Sequence, residues 1–421
     1  MLDILSAVGL DADQFLTLFV IAAIVVILAY RPFVLNILDP LNMFIIAMIA
    51  NIVLMFGLKW DVSATTEFTF FVVFFWIGFA LIGKIATKSP TIHLDDESLL
   101  ELEIVLVVTT VIIVIANLYL GFTAGFPLFS AEPSETKVTV YTGGLGMVRH
   151  LNQGPYKFLS CGCILLIAIG RKPMLAISML FVSSVFLALS GSKGALLPIL
   201  FVLAFVLSHK GLVQNKKRFN KIKKLALPTF AATVAVAMTV VIHENGGLVG
   251  GLLFLAKRLL YFGDVILYYY PRRGAIPELM NVGPFGYIHY LVDPLLAMLR
   301  VLDYTSILPP LGSIISNSDP GIGPNAEYFV RADIFFGPVF GCVYCFAIGY
   351  LTNLFRRQFF TVRTRNAIVF NLSLLLAASA IDIPFESSLF FSTIMDTVLF
   401  IGPLWCFAHF ATLSTSVSQP A

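Results

Sequence analysis

The residues best suited to chemistry lie in one stretch, 243–332, between two strongly apolar segments. Its arginines could hold a pyrophosphate, because a guanidinium donates two parallel N–H bonds to phosphate oxygens. Its carboxylates and one histidine could accept the proton of an attacking hydroxyl. The pyrophosphate candidates are the guanidinium groups flanked by aromatic residues or glycine turns, namely Arg258, Arg272, Arg273 and Arg331. The candidate catalytic bases, in order of preference, are Glu327, Asp264 and His289.

Glu327 ranks first because the Gly-Pro turn at 321–324 holds it beside Arg331. The i, i+4 spacing of the two would also allow a simple structural ion pair. Asp264 ranks second: like Glu327 it lies near cations in the sequence, which favours both, although a neighbouring cation also lowers the pKa of a carboxylate and weakens it as a base. An imidazole changes charge nearest neutral pH, which keeps His289 third, although its tyrosine-rich setting is also typical of an interfacial anchor.

A helix beginning at Leu248 would gather further polar side chains on one face. Lys257, Tyr261, Asp264 and Tyr268 follow i, i+4, i+7, i+11 spacing. The stripe could bind a substrate, or it could belong to an interfacial helix whose basic residues reach lipid phosphates. Substrate binding and an interfacial helix both remain as interpretations of this stripe. The two arginines at 272–273 could likewise be an anchor to lipid headgroups.

Two short outward segments add cations to the substrate-binding candidates. Lys193 lies in the small-residue turn LSGSKGAL at 189–196, which could surround an anion or be a plain hairpin. Arg149 and His150 follow a glycine-rich run at 143–146. That run has neither the strand nor the spacing of a dinucleotide fingerprint. We interpret His150 as a surface histidine rather than a base.

The composition identifies the environment of these residues. The chain is 58% hydrophobic and 12% charged, with a mean hydropathy of +0.92, whereas an ordinary soluble domain has roughly 25% charged residues. We therefore predict an all-α polytopic integral membrane protein with one integral domain over 1–421 and about eleven spans. The predicted spans are 14–30, 37–57, 67–87, 103–122, 156–170, 174–191, 195–209, 224–242, 333–354, 366–382 and 388–411.

The basic residues of the loops predict an orientation. Arginines and lysines concentrate at the ends of the spans that would share the cytoplasmic side, whereas the short opposite loops carry only Lys59 and Lys193. The N-terminus is then periplasmic and the C-terminus cytoplasmic. The N-terminal segment has no basic residue before the first apolar run, so we expect no cleaved signal peptide. Two outer loops, 122–155 and 243–332, face the periplasm.

Several function classes are disfavoured. The net charge of +3 gives no support for nucleic acid binding. The chain has no phosphate-binding P-loop, no D-x-D sequence and no His/Cys set at metal-ligand spacing, so we expect neither a metal nor a cofactor. All five cysteines fall in apolar segments, where we expect them to be small core residues.

The many spans and the large late outer loop resemble O-antigen polymerases of the Wzy type. The turn Ser192-Lys193-Gly194 is similar to the S-[RK]-G turn of that family, although many relatives have Arg where this chain has Lys193. A lysine cannot engage a phosphate bidentately, which weakens that part of the likeness. The family pattern G-x-x-P…E-x-Y…G is matched by Gly321, Pro324, Glu327, Tyr328 and Gly337.

The resemblance implies a GT-C-like glycosyltransferase of the bacterial inner membrane that needs no metal. Its substrate would be an undecaprenyl-pyrophosphate-linked oligosaccharide, polymerised into O-antigen or a related surface polysaccharide on the periplasmic face. Membrane lipid and a chain-length regulator protein would be partners. Tyr328 joins the substrate-binding candidates through the matched pattern.

Two other functions stay open. A flippase or transporter of lipid-linked saccharide would place charges at mid-membrane and often show internal repeats, whereas the predicted spans are nearly free of charge and show no repeat. An O-antigen ligase would have a similar layout with lipid A core as the acceptor. The sequence does not separate the ligase from the polymerase.

Overall fold

The computed structural model describes residues 12–58, 61–85, 91–130, 133–191, 196–212, 264–276, 283–298, 325 and 327–417, with scattered positions between 219 and 242. Within these ranges the regular elements are helices, and no strand occurs. The protein is an α-helical membrane protein, as the sequence predicts. The likeness to a GT-C architecture stays a prediction.

The described part of the chain contains the following α-helices. In chain order they are α1 Ala12–Tyr30, α2 Leu41–Gly57, α3 Val62–Leu81, α4 Asp96–Ala124, α5 Pro133–Val140, α6 Gly146–Leu151, α7 Gly154–Ile169, α8 Pro173–Leu189, α9 Leu197–Ser208, α10 Asp264–Tyr269, α11 Pro284–Met298, α12 Tyr328–Thr361, α13 Ala367–Ser379, α14 Asp382–Phe385 and α15 Ser387–Val417. Short 3-10 turns occupy Arg31–Phe33, Pro127–Phe129 and Tyr270–Arg272, and a π-helical turn occupies Tyr141–Leu145.

Several helices have the length and composition to cross a bilayer. In the described part of the chain there are five: Asp13–Phe33, Val62–Leu81, Asp96–Ala124, Tyr328–Thr361 and Ser387–Thr412. Shorter apolar helices are Leu41–Gly57, Pro173–Leu189, Leu197–Ser208 and Ala367–Ser379. All of these overlap predicted spans. The number of spans and the orientation of the chain stay predictions.

The chain divides into two compact units, each built from separate stretches. Unit 1 comprises Met1–Lys84, Leu248–Leu354 and Ala380–Phe390. Unit 2 comprises Ile85–Gly247, Phe355–Ser379 and Phe391–Ala421. A single integral domain over 1–421 stays a prediction.

In unit 1, two glycines let α3 and α12 pack backbone against backbone. A Cβ atom on Gly78 would lie 2.0 Å from the carbonyl oxygen of Phe346, and one on Gly349 would lie 2.1 Å from that of Phe75. Small residues at such crossings permit the close approach that stabilises helix pairs in a membrane. The glycines therefore fix α12 against α3, which carries Glu67.

Helix α12 is broken near its start. Gly337 has φ 66° and ψ −174°, and Pro338 follows it. The conformation suits glycine, and a proline cannot donate the backbone bond that would continue the helix. The break separates a short segment bearing Arg331 and Asp333 from the longer apolar run that follows. The sequence predicts a span from 333, whereas the structure begins the helix at Tyr328 and interrupts it.

In unit 2, helix α7 forms the centre. Nearly all of its side chains are buried, among them Phe158 and Ser160. The amide of Asn371 on α13 donates to the carbonyl oxygen of Phe158 at 3.1 Å, which satisfies a polar group inside an apolar core. Cys161 and Cys163 are buried there as predicted, whereas Cys406 on α15 is exposed, contrary to the prediction of a core position.

Candidate functional site

Unit 1 concentrates charged side chains around Arg273, which follows the 3-10 turn after α10. Its guanidinium makes a two-point contact with Asp333, Nη2 to Oδ1 at 2.7 Å and Nε to Oδ2 at 2.6 Å, and also pairs with Glu67. The hydroxyl of Tyr269 donates to Asp333 Oδ2 at 2.6 Å. We call Arg273, Glu67, Asp333 and Tyr269 the Arg273 cluster. The prediction that Arg273 touches a pyrophosphate stays a prediction, and its observed partners are carboxylates.

The contacts of the Arg273 cluster stabilise the charged form of Arg273 and the neutral form of Tyr269. Burial works against the charge on Arg273, but the hydrogen bonds and charge of Asp333, with the charge of Glu67, outweigh it and raise the pKa of Arg273 above its ordinary value. Burial first, and the Asp333 charge second, raise the pKa of Tyr269. Arg273 therefore stays charged, and Tyr269 stays a neutral donor.

Arg272 lies beside this cluster and faces solvent. It is exposed, and no described residue bonds to its guanidinium. Tyr268, one turn earlier, is also exposed. Among the predicted pyrophosphate-binding arginines that the structure describes, Arg272 is the one whose donors are open to a ligand.

Arg331 is fully enclosed by protein. Nε donates to the Tyr344 hydroxyl at 3.0 Å, and Nη2 donates to the carbonyl oxygens of Ile383 at 2.7 Å and Pro384 at 3.1 Å. Nη1 donates to the carbonyl oxygen of Phe385 at 3.3 Å. The three carbonyl acceptors belong to α14, so the guanidinium links α12 to α14. In this conformation the side chain has no exposed surface for a pyrophosphate.

Glu327 is also buried, immediately before α12. Its Oε2 accepts a bond from the Asn51 amide on α2 at 2.7 Å. Its carbonyl oxygen accepts from the backbone N–H of Arg331 at 3.1 Å, which is the first turn of the helix. The sequence places Glu327 and Arg331 in a cluster at the outer edge of the membrane, whereas both side chains lie inside the unit.

The remaining described candidates in unit 1 have different settings. Tyr328 is fully buried, and its hydroxyl lies 3.5 Å from the Met48 sulfur. His289 is exposed on α11. Asp264 is the first residue of α10, and its side chain lies outside what the structure describes. Arg258, Lys257, Tyr261 and Lys193 lie outside the described residues.

Unit 2 contains a histidine–carboxylate pair that the sequence interpretation missed. His150 is not a surface histidine: its side chain is 13% exposed, and Nδ1 lies 2.9 Å from Oδ1 of Asp396, which is 0% exposed. Oδ2 of Asp396 is buried and has no hydrogen-bond partner in the described structure. The two residues are 246 positions apart in the sequence, so no local sequence pattern indicates that they are in contact. The signal that could have found it is a lone acid within the apolar run 388–411.

Close packing positions the His150–Asp396 pair. A Cβ atom on Gly154 would lie 2.6 Å from the carbonyl oxygen of Thr393 and 2.7 Å from the Cβ of Asp396, so only glycine lets α7 approach α15 here. Thr393 is one turn before Asp396, on the same helix face. Its hydroxyl accepts from Gln153 Nε2 and from Lys157 Nζ, both at 3.4 Å.

A pair of asparagines holds the corner between α6 and α7. Asn117 on α4 donates to Oδ1 of Asn152 at 2.8 Å, and Asn152 donates back to Oδ1 of Asn117 at 3.0 Å. Asn117 also donates to the carbonyl oxygen of Ile113 at 2.9 Å. The reciprocal amides fix the position of Asn152, two residues after His150. Arg149 is exposed beside His150, and its role in substrate binding stays a prediction.

The few acids in or next to two of the predicted spans face the protein interior. Glu101 and Glu103 are buried on α4, and Asp396 is buried on α15. Arg171 Nε donates to Oε1 of Glu103 at 2.5 Å, and Lys172 Nζ donates to Oε2 at 2.7 Å. Burying charges is costly unless they are paired. The sequence count of charges per span could not show which of them face the interior.

In comparisons with known protein families, curated proteins and solved structures, no match to this chain was found. The resemblance to Wzy-type polymerases stays a prediction.

Proposed function

We propose that this protein is a metal-independent glycosyltransferase that joins undecaprenyl-pyrophosphate-linked oligosaccharide repeat units into a surface polysaccharide. The observation that carries the proposal is the exposed guanidinium of Arg272 beside the rigid Arg273 cluster. Ionised groups in a membrane protein are costly to bury and are commonly functional. The N–H donors of Arg272 bond to no described residue, whereas the guanidinium of Arg273 is paired with two carboxylates.

The chemistry requires charge stabilisation on the departing lipid. As the anomeric C–O bond breaks, negative charge grows on the polyprenyl pyrophosphate. A guanidinium with free N–H donors can meet that charge with paired hydrogen bonds, and it keeps its own charge at any physiological pH. The Arg273 cluster supports this role because its carboxylates hold Arg273, the residue next to Arg272 in the chain.

The setting agrees with a lipid-linked substrate. Unit 1 is built from apolar helices, and α11 exposes Phe285 and Ile288. Exposed apolar groups of this kind offer contact to acyl or polyprenyl chains. Arg272, Arg273 and α11 all belong to the predicted outer loop 243–332, where no nucleotide sugar is at hand and a lipid pyrophosphate is the available leaving group.

The test is the polysaccharide pattern of a strain lacking the protein. We expect a deletion to leave one repeat unit on the lipid A core, and the intact gene to restore a ladder. Arg272→Ala should reduce polymer formation about 10²–10³-fold, the effect of losing one donor to a developing anion. Arg363→Ala, which removes another exposed arginine from a predicted cytoplasmic loop, is the matched control. A complete absence of repeat units on the core would contradict the polymerase and favour the ligase or flippase.

One observation favours a second candidate. Asp396 is completely buried in a helix long enough to cross a membrane, and it is paired with a histidine. Such pairs are typical of proton relays in transporters. The alternative is therefore a flippase or transporter of lipid-linked saccharide, which would move its substrate across a bilayer without forming a glycosidic bond.

A further inference from the structure

Asp396 lies inside a helix that is long and apolar enough to cross a membrane, where an ionised carboxylate is costly. It lies roughly 14 Å along α15 from Ser387, at about 1.5 Å per residue. Its side chain is 0% exposed. A buried charge is tolerated when its hydrogen-bonding positions are filled, yet Oδ2 of Asp396 has no partner among the described residues. The charged form of this carboxylate is therefore incompletely stabilised by its surroundings.

His150 connects this carboxylate to the protein surface. Its Nδ1 lies 2.9 Å from Oδ1 of Asp396, so in the neutral ring the hydrogen bond favours a proton on Nδ1 and a lone pair on Nε2. No described residue bonds to Nε2. The imidazole is 13% exposed, whereas the enclosed carboxylate offers no surface to a ligand. A proton can therefore reach Asp396 through the ring, and a larger ligand could do so only if His150 moved.

We propose that the His150–Asp396 pair is a proton-binding site within unit 2, and that His150 passes the proton between water and Asp396. Nε2 takes a proton from a hydronium ion, which leaves as water. The N–H bond at Nδ1 then breaks, and its proton forms an O–H bond with Oδ1 of Asp396. The ring is left neutral, with its proton on Nε2. The proton leaves by the same steps in reverse.

The protonated state relieves the deficit at Oδ2. Once Oδ1 carries the proton, Asp396 is uncharged and Oδ2 is a carbonyl oxygen, which is less costly to leave without a partner than the oxygen of a carboxylate. The O–H at Oδ1 can still donate to Nδ1 of His150. The site belongs to unit 2 alone and does not depend on the proposed glycosyl transfer.

The groups around the pair allow Asp396 to gain and lose a proton. Arg149 on α6 and Lys157 on α7 are the cations that act on the charge of Asp396. They stabilise the carboxylate, whereas its enclosure by protein works against the charge. The neighbouring amide of Gln153 and hydroxyl of Thr393 bond to each other and are neutral. Opposing influences of this kind keep both protonation states within reach.

The charge of Asp396 should affect the packing of three helices. The pair joins α6 to α15, and Gly154 lets α7 approach α15 beside Asp396. When Asp396 is neutral, its attraction for Arg149 and Lys157 is lost, so the contact of α6 and α7 with α15 becomes weaker. We therefore expect the activity of the protein to depend on pH through this proton.

Infrared difference spectra of the full-length protein in detergent, recorded between about pH 8 and about pH 5, test the site. We expect the acid form to show the carbonyl stretch of a protonated carboxyl group, shifted by isotope-labelled aspartate and absent from Asp396→Asn. Glu101→Gln is the matched control and should keep the band, because both oxygens of Glu101 have hydrogen-bond partners. A wild-type protein without the band overturns the proposal, as does an Asp396→Asn variant that retains it in full.

The variant His150→Asn tests the path of the proton. The asparagine amide can still donate to Oδ1 of Asp396, but it cannot take up a proton from water. After a rapid drop in pH we expect the carboxyl band to appear about 10²-fold more slowly than in the wild-type protein, since a positioned proton carrier contributes at least this much. Equal rates in the two proteins would overturn the role of His150.

The last readout is activity against pH in proteoliposomes with lipid-linked repeat units. Asp396→Asn stays neutral at every pH, so we expect it to lower the activity and to flatten the pH profile. A wild-type profile in this variant would overturn the link between the proton and activity. A wild-type protein that shows the carboxyl band but forms no glycosidic bond would contradict the proposed function and support the proton site.

Discussion

The described part of unit 2 contains two histidine–carboxylate pairs whose surroundings differ. Glu101 accepts from His409 Nδ1 at 2.7 Å through Oε1, and from the indole N–H of Trp405 at 3.1 Å through Oε2. The hydroxyl of Thr412 adds a longer contact at 3.5 Å. Both oxygens of Glu101 therefore have partners. Asp396 bonds to His150 through Oδ1 alone, and its Oδ2 has no described partner.

The two histidines also differ in how far their side chains are exposed. His409 is 52% exposed and covers a fully bonded carboxylate, whereas His150 is 13% exposed above a carboxylate that retains bonding capacity. Saturated polar groups rigidify a fold, and partly satisfied ones are candidates for function. The comparison indicates that the Glu101 pair anchors α15 on α4, and it leaves the Asp396 pair as the candidate for function. Arg331 belongs with the saturated groups, because protein acceptors surround its guanidinium.

The largest effect on folding should come from Arg331. Arg331→Ala would remove the donor from the carbonyl oxygens of α14 in a buried setting, while the Tyr344 hydroxyl keeps its bond to Tyr287, and we expect a loss of about 3–5 kcal/mol in the free energy of unfolding. Thermal unfolding in detergent checks this. If the variant melts like wild type but no longer polymerises, Arg331 contacts the substrate, as the sequence predicts, and our grouping of it with anchoring residues is wrong.

Gly154→Ala should be next. The new Cβ would meet the Thr393 carbonyl oxygen and the Asp396 side chain, so α7 and α15 must separate, at a cost of about 1–3 kcal/mol. We expect lower melting temperature and lower activity together. Gly402→Ala, on α15 with open space around the new Cβ, is the control and should be neutral or stabilising. Equal behaviour of the two variants would contradict the close packing at His150.

Glu101→Gln sharpens the contrast between the two pairs. It should weaken the bond from half-exposed His409 and lower the free energy of unfolding by about 1–2 kcal/mol. The activity per folded molecule should stay near wild type. Asp396→Asn is the counterpart, with little loss of stability and a large loss of activity. The two pairs would have to be regarded as equivalent if both amide variants lost activity to the same extent.

The smallest effect should come from the asparagine pair at the α6–α7 corner. Asn117→Ala removes one reciprocal amide contact, and we expect about 1 kcal/mol of destabilisation. Asn152→Ala should cost a similar amount. A double-mutant cycle measures their coupling, which should be favourable because each amide bonds to the other. Independent, additive effects would show that the corner is held by other contacts.

The sequence predicts the helices well and the contacts between distant side chains poorly, for a physical reason. Long apolar runs indicate spans such as α4 and α15 because hydropathy is a local property. The adjacent proline is consistent with the break at Gly337. A Gly-Pro pair also occurs at simple turns, so the sequence alone does not predict a broken helix there. The contact of His150 with Asp396 depends on how α7 packs on α15, which periodicity does not encode. Gly154 permits that contact, and only its three-dimensional neighbours reveal why.

The proposed glycosyl transfer itself is tested most directly with purified protein in vesicles and a radiolabelled undecaprenyl-pyrophosphate repeat unit. We predict a ladder of longer saccharides and one undecaprenyl pyrophosphate released for each repeat unit joined, without added metal. Saccharide that crosses the bilayer unextended, with no pyrophosphate lipid released, would contradict the account and identify a transporter.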